Sequence, residues 1–515
     1  MTEQTRRFFK NALALAGAAV LMRTVGVAYN ATLSAHIGAE GMGLFSLISS
    51  LQGFAITFAT SGVSLAVTRL VSECMGSGEP ASARAALRRA TLYALLFSGV
   101  AFAVLFFGAP LLGAGLLGDG RTVSSLRILA FALPPMALCS VFNGYFTAVG
   151  RMVGPSGVQV AEQAVRIVLT LYLLPRLLPY GVEYACASVV AGATLAQLLS
   201  FALLLFLYLI DRRRLHGTAG GTAGLTARLC HIALPVACSS YVRSGLLTLE
   251  HLLIPRALVW GGRRTPEEAL GTYGILSAMA LPVVMFPMGT LASFSSLLIP
   301  HYAAAKARGE EGRIRALAAR TLHLATVGAV LCATFLFVFS RDLGLSIYRS
   351  ETAGEYIRLL APVLPLMFLD HITDCALKGL GEQVYTMWVN IADSAMSCLL
   401  VVLLLPSRGA VGYILVIVIA EAVNLTLSVG RLVRVTTVRY LPLRSAVLPA
   451  LCAAASCWLV RRLFHLDAYV VTVPYLLLEG VFALCAFLVL YLPLSRLLPR
   501  GRLTTREGSA ILHSK

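Results

Sequence analysis

Long apolar stretches alternate with short polar loops along almost the whole chain. A hydrocarbon core of about 30 Å takes about 20 residues of α-helix to cross, and stretches of that length recur throughout. The pattern predicts an all-α integral membrane protein with fourteen transmembrane helices. The predicted helices lie near residues 11–33, 43–68, 91–117, 125–149, 155–175, 183–210, 229–254, 271–299, 321–340, 356–377, 384–405, 409–430, 445–464 and 470–495.

Basic residues are distributed unevenly between the two predicted membrane faces. Of the 42 lysines and arginines, 27 fall in the termini and loops of one face and 12 in the loops of the other. Since the cytoplasmic face of a membrane protein carries the excess of basic residues, this bias predicts that both termini are cytoplasmic.

Composition agrees with a membrane protein and argues against other classes. The chain is 58% hydrophobic and 13% charged, about half the charge of a typical soluble domain. The net charge of +18 comes from many short loops, so we expect no nucleic-acid binding. The eleven cysteines form no C-x-x-C pair, and the sequence contains no phosphate-binding loop or H-E-x-x-H motif. We therefore expect neither an enzyme nor a bound cofactor.

The sequence contains an internal repeat. The segment "RILAFALPPMAL" (127–138) shares seven of twelve residues with "RLLAPVLPLMFL" (358–369), at an offset of 231. This offset spans about six helices, and an even number gives two halves that run in the same direction across the membrane. The repeat predicts two parallel six-helix bundles plus a C-terminal helix pair. The predicted domains are an N-terminal bundle (1–210), a basic cytoplasmic linker (211–228), a C-terminal bundle (229–433), helices 13 and 14 (434–497) and a cytoplasmic tail (498–515).

Three segments carry a resemblance to a known family. The opening "MTEQTRRFFKNALALAGAAVLMRTVG", "HIGAEGMGLFSL" and "GVSLAVTRLVSE" resemble the polysaccharide flippase family typified by stage V sporulation protein B. That family belongs to the superfamily of MurJ, the O-antigen flippases and the MATE multidrug exporters. The resemblance implies a flippase of the bacterial inner membrane that works by alternating access. Its implied substrate is an undecaprenyl-diphosphate-linked saccharide, either a peptidoglycan precursor or another polysaccharide unit.

Two arginines inside apolar segments are the leading candidates for substrate binding. Arg23 lies in helix 1 and Arg243 in helix 7, the opening helices of the two halves. An uncompensated guanidinium at mid-membrane costs at least about 2.5 kcal/mol, so each needs a wet cavity or an anion. MurJ-like flippases resemble this arrangement, although the further arginine they carry near helix 2 is replaced here by Gln52. Asn30, Gln52 and Glu250 complete the predicted substrate-binding set; the alternative is that each arginine pairs structurally with a carboxylate such as Glu250, or snorkels.

Acidic residues concentrate in the second half of the repeat. Asp370 and Asp374 lie four residues apart in helix 10, and two carboxylates at that spacing can hold a sodium ion or share a proton. Asn390 and Asp393 of helix 11 join them as ion-coupling candidates. Sodium sits in the C-terminal bundle of MurJ-like relatives, so the resemblance implies sodium or proton coupling there. The alternative is that these polar residues only pack the bundle through mutual hydrogen bonds.

Helix 5 carries a second feature of this kind in the N-terminal bundle. Glu162 and Arg166 lie four residues apart on one helical face, a spacing that favours an ion pair. We interpret them as a structural pair.

Two other functions fit the same scaffold. A MATE-like, cation-coupled drug exporter would be expected to line its cavity with carboxylates and aromatic side chains instead of arginines. A non-transporting scaffold that recruits cell-wall synthesis enzymes would depend on neither arginine. The expected partners are the lipid-linked saccharide and membrane lipids, with cell-wall synthesis enzymes as further candidates.

Overall fold

A computed structural model of the protein describes residues 3–77, 79–212, 224–262, 264–438, 442–464 and 472–497. Every regular element in these ranges is helical, which confirms the predicted all-α class. The predicted tail (498–515) and most of the predicted linker (211–228) lie outside the described residues.

Nineteen α-helices follow one another within the described ranges, with short π-helical segments at Leu111–Leu117 and Ile275–Ala280. They are α1 (Glu3–Thr60), α2 (Val63–Gly76), α3 (Pro80–Phe107), α4 (Val123–Ala130), α5 (Leu133–Ala148), α6 (Val153–Leu177), α7 (Val182–Asp211), α8 (Leu225–Trp260), α9 (Pro266–Gly274), α10 (Leu281–Val284), α11 (Phe286–Ala307), α12 (Glu311–Val338), α13 (Ser340–Tyr348), α14 (Glu351–Leu360), α15 (Leu364–Gly379), α16 (Gln383–Arg408), α17 (Ala410–Thr436), α18 (Pro442–Phe464) and α19 (Val473–Leu497).

The number of membrane-crossing helices differs from the predicted fourteen. Eleven helices of the described residues are long and apolar enough to cross, or twelve if the bent pair α4–α5 is one span. The first two predicted spans run together in α1, where Gly38 (φ 69°, ψ −174°) breaks the helical path in a conformation that suits glycine. The eighth predicted span (271–299) is divided among α9, a π-helix, α10 and α11. The count of fourteen is therefore not confirmed.

Prolines begin helices at two positions that correspond in the repeat. Pro134 lies in the first turn of α5, where the chain bends by 44° after α4. Pro365 lies in the first turn of α15, after a 3₁₀ turn. Proline lacks the N–H that continues a helix but fits the first turn, which explains both breaks.

Packing groups the described residues into two compact units. The N-terminal unit comprises residues 36–256 and 265–274, and the C-terminal unit comprises 3–35, 257–264 and 275–497. These two units are defined by which residues pack together, whereas the predicted domains are defined by the internal sequence repeat. The predicted domain boundaries therefore stay a prediction.

The core of the N-terminal unit lies where α2, α3 and α5 meet, around Val67, Leu87 and Tyr145. Gly144 allows the close approach of α5 to α2, because a Cβ there would lie 2.6 Å from the Ser64 carbonyl oxygen. Large apolar side chains remain exposed on the outside of these helices, as expected where a helix faces lipid.

The core of the C-terminal unit joins α11, α12, α15 and α17 through side chains such as Tyr302, Leu322 and Leu377. The helix pair α18–α19 packs on α12. Tyr491 of α19 contributes a hydroxyl that forms a 3.1 Å hydrogen bond with His323 Nε2 of α12. The last two helices are thus an integral part of this unit.

Candidate substrate and ion sites

Arg23 lies in the membrane-spanning part of α1 with an exposed side chain. Its side chain crosses Gly289 of α11, where a Cβ would lie 2.8 Å from Arg23 Cγ and 2.9 Å from Nε. Eleven residues further on, the Ser34 hydroxyl donates to Met279 Sδ at 3.7 Å. These contacts are all within the C-terminal unit, and the missing side chain at Gly289 makes room for the arginine.

Arg243 lies in α8, on the side that faces away from the helix packed against it. In the N-terminal unit, α8 packs on the second part of α1: Thr248 donates to the Ser50 carbonyl oxygen at 3.1 Å, and Gly245 faces the ring of Phe54. Side chains two residues apart in an α-helix point in directions about 200° apart around the helix axis. Arg243 therefore points away from the face that holds Gly245. Its side chain is exposed.

Neither arginine is locked to a carboxylate in the described part of the chain. The ion pairs between described side chains involve other residues, and neither Arg23 nor Arg243 makes a hydrogen bond or ion pair among the described residues. This argues against the alternative in which each arginine pairs with a carboxylate such as Glu250, and it does not bear on the alternative that the arginines snorkel. Both guanidinium groups are therefore available to an anion.

The other predicted substrate-binding residues divide between the two units. Asn30 follows Arg23 by seven residues and Glu250 follows Arg243 by seven, so each pair shares a helical face, about 10 Å apart along the axis. Asn30 lies in the C-terminal unit, whereas Gln52, Arg243 and Glu250 lie in the N-terminal unit. All three polar side chains are partly buried.

Three carboxylates of the C-terminal unit form an acidic cluster, consisting of Asp370 (α15), Asp393 (α16) and Glu421 (α17). They are close enough to interact electrostatically. Asn424 Nδ2 donates to Asp370 Oδ2 at 3.3 Å, and the Ser428 side chain lies near the same carboxylate. One oxygen of Asp370 and one of Glu421 are buried without a hydrogen-bond partner among the described residues. Such a cluster can take up a proton or a cation.

Two members of the predicted ion-coupling set make local contacts of their own, and Asp374 is also close enough to Asp370 to interact electrostatically. Asp374 accepts a 2.6 Å hydrogen bond from Lys378 Nζ, one turn along α15. Asn390 Nδ2 donates to the Thr386 carbonyl oxygen of its own helix at 2.7 Å. Glu421 was missing from the predicted set. The run Glu421, Asn424 and Ser428 along one face of α17 is the signal that could have revealed it. Within the described residues, no group of three acidic, histidine or cysteine side chains has the arrangement of a metal site.

The predicted structural pair in α6 has a different local contact. Arg166 Nη2 donates to the side-chain oxygen of Gln163, one turn earlier. Glu162 is partly buried on the same helix and interacts electrostatically with Cys139 of α5. The ion pair between Glu162 and Arg166 stays a prediction.

Replacing Gly289 with alanine should impair the Arg23 site specifically. The new methyl group would lie under 3.0 Å from the middle of the Arg23 side chain, so the guanidinium must move. We expect a fall in transport of about tenfold or more, measured in reconstituted vesicles.

Gly328→Ala is the matched control, because a Cβ at Gly328 of α12 meets no atom within 4 Å. Its transport should equal that of the wild type. Combining Gly289→Ala with Arg23→Ala should add little to the loss from Arg23→Ala alone. Full additivity of the two losses would contradict the proposed link between Gly289 and Arg23.

An all-helical chain with repeated apolar spans, and with arginines and carboxylates inside them, defines a polytopic membrane protein of the transporter type. The chain belongs to the polysaccharide biosynthesis protein family, whose model matches residues 8–306. The MatE family model matches residues 257–403. The family predicted from the sequence is therefore confirmed.

Two relatives come from Bacillus subtilis (strain 168). Stage V sporulation protein B is 25% identical over 429 residues, which cover 81% of this chain and 82% of the relative. Lipid II flippase MurJ is 24% identical over 429 residues, covering 77% of each chain.

Solved structures show the same fold. Lipid II flippase MurJ in an inward closed conformation matches with a TM-score of 0.68 at 14% identity, covering 95% of this chain and all of the other. An inward-facing MATE family multidrug resistance transporter matches with a TM-score of 0.65 at 12% identity, covering 83% of this chain and 99% of the other. The relatives and structural neighbours named here are flippases and transporters, which supports a membrane protein of the flippase or transporter class.

Proposed function

We propose that this protein is a flippase that moves an undecaprenyl-diphosphate-linked saccharide from the inner to the outer leaflet of the bacterial inner membrane. One observation carries the proposal: Arg23 and Arg243 both lie exposed in membrane-spanning helices without a carboxylate partner among the described residues. The similarity to a protein named lipid II flippase gives independent support.

The chemistry of a diphosphate explains why arginine suits these positions. A guanidinium group binds phosphate oxygens through two parallel hydrogen bonds and stays charged at any physiological pH. The negative diphosphate in turn compensates two cations that would be costly inside a membrane. We propose that Arg23 and Arg243 bind this group, and that Asn30, Gln52 and Glu250 hydrogen-bond the sugar, while the polyprenyl tail stays in the bilayer.

Alternating access would carry the headgroup across. We propose that the repeat halves 1–210 and 229–433 are the moving bundles, with residues 434–497 as an added helix pair and both termini in the cytoplasm. This arrangement matches transporters built from parallel repeats related by an axis along the membrane normal.

We propose that the acidic cluster couples this movement to a sodium or proton gradient. Three carboxylates near one another in membrane-spanning helices cannot all be ionised cheaply, so the cluster should bind a proton or a cation in at least one state. Asp374 and Asn390, which lie on the same two helices as Asp370 and Asp393, remain candidates for the same role.

Reconstitution tests the substrate directly. The purified protein is placed in vesicles with undecaprenyl-diphosphate-linked saccharide, and the saccharide exposed on each side is measured with a membrane-impermeant label. We expect protein-dependent exposure on the opposite side. Efflux of organic cations without saccharide movement would instead support a drug exporter, and the absence of both would support a scaffold that binds cell-wall synthesis enzymes.

A further inference from the structure

Three exposed arginines lie at one end of the N-terminal unit, on the side that the sequence predicts to be cytoplasmic. Arg84 and Arg88 occupy the second and third turns of α3, and Arg212 directly follows α7. Arg84 and Arg212 both lie within electrostatic range of the Tyr208 hydroxyl of α7. We call Arg84, Arg88 and Arg212 the basic rim.

The basic rim continues a lipid-facing surface on α3. This helix has 28 residues and is therefore about 42 Å long, longer than a hydrocarbon core of about 30 Å. Since the span predicted in this part of the chain begins near residue 91, we expect its first turns to reach the headgroup region. Leu92 and Leu96 follow Arg84 and Arg88 at four-residue steps on the same face and are 61% and 65% exposed. One stripe therefore runs from guanidinium groups directly into apolar side chains.

The end of α7 also exposes apolar side chains, although Arg212 lies on the face of Tyr208 and not on theirs. Phe206 and Ile210 are 60% and 59% exposed, and the exposed Arg212 follows at the end of the helix. Both α3 and α7 pack on α5. Tyr208 of α7 stacks on Phe142 of α5, with ring centroids 5.1 Å apart. Aromatic side chains of α5 and α7 thus lie beneath the basic rim.

No acidic side chain of the described residues pairs with the basic rim. Asp211 is the adjacent acidic residue, but it is 7% exposed and already accepts hydrogen bonds from Tyr145 Oη (2.8 Å) and Arg151 Nη1 (2.9 Å). Within the described residues, Arg84, Arg88 and Arg212 form no ion pair. Three positive charges are therefore left facing the headgroup layer.

We propose that the basic rim is a binding site for the headgroup of an anionic phospholipid of the phosphatidylglycerol type. The phosphate binds the guanidinium groups, and the acyl chains lie along the apolar stripe of α3. Charge complementarity and the direct step from arginine to apolar side chain both select a lipid over a soluble anion. The site uses no residue of the proposed saccharide site, so the two proposals stand independently.

Lipid titration of the full chain tests this proposal. The purified protein in detergent is titrated with phosphatidylglycerol or phosphatidylcholine of identical acyl chains, and bound lipids are counted by native mass spectrometry. The wild type should prefer phosphatidylglycerol. The triple variant Arg84→Gln/Arg88→Gln/Arg212→Gln should lose on the order of tenfold or more of that preference, since each basic residue near an anionic surface contributes to binding. The corresponding triple lysine variant should retain most of it.

A second triple variant controls for total charge. Arg308→Gln/Arg320→Gln/Arg434→Gln removes three exposed arginines of the C-terminal unit that the sequence also predicts to be cytoplasmic, and it should keep the wild-type preference. An equal loss in this control would overturn the proposal, because it would show a general charge effect. Displacement of the bound lipid by glycerol 3-phosphate at similar concentration would also overturn it in favour of a soluble phosphate site. A thermal unfolding scan without lipid confirms that each variant is folded.

Discussion

Alanine at position 23 or position 243 is expected to abolish saccharide translocation in reconstituted vesicles. Both side chains are exposed in the structure, and the proposed diphosphate would bury them when it binds. Loss of one partner of such a buried, hydrogen-bonded charge pair costs about 2–5 kcal/mol, so we expect a fall of at least about thirtyfold for each variant. The measurement is the rate at which undecaprenyl-diphosphate-linked saccharide becomes accessible to an impermeant label. A cation exporter would instead tolerate these changes, since a guanidinium group repels its substrate.

Lysine substitutions separate charge from geometry at the same positions. Arg23→Lys and Arg243→Lys keep the positive charge but lose the planar fork, so their rates should fall between those of the wild type and the alanine variants. Arg176→Ala is the matched control: Arg176 lies over the ring of Tyr172 at 3.7 Å on the outside of α6 and should be dispensable. Wild-type translocation in both alanine variants would rule out the proposed diphosphate site.

The membrane class could be predicted because bilayer thickness imposes a length on every apolar segment. The positions at which helices are interrupted within those segments could not be predicted as reliably. Pro134 and Pro365 have a local signal, and helices begin there. Gly38 has none that distinguishes it from the many other glycines, yet its positive φ is what divides α1. Hydropathy therefore gives the positions of most spans but does not show where neighbouring helices merge.

Charged residues inside an apolar segment are easy to recognise in a sequence, so part of the candidate sites could be predicted. Arg23 and Arg243 stand out on that basis alone. The contact between Arg23 and Gly289 joins residues more than 260 positions apart, so no local sequence pattern could predict it. The pairing of Asp374 with Lys378 follows the ordinary four-residue rule for helices, and it competed with the hypothesis that Asp374 and Asp370 share an ion.

Amide substitutions in the acidic cluster should uncouple transport from its ion gradient. Asp370→Asn, Asp393→Asn and Glu421→Gln each remove one ionisable group and leave side-chain size almost unchanged. A cluster with fewer carboxylates binds a proton or cation more weakly, so we expect the gradient-driven increase in translocation rate to fall about tenfold or more. The rate is measured with a sodium gradient at fixed pH and, separately, with a pH gradient without sodium. The gradient that loses its effect identifies the coupling ion.

The affinity for the saccharide distinguishes a loss of coupling from a loss of substrate binding in these variants. The acidic cluster is proposed to drive movement and not to hold the substrate, so affinity for the lipid-linked saccharide should stay near the wild-type value. Glu351→Gln is the matched control, because Glu351 is an exposed carboxylate of the same unit that pairs with Arg341 at 2.7 Å. If translocation in all three amide variants still rises with the gradient as in the wild type, the acidic cluster is only a packing feature of α15, α16 and α17.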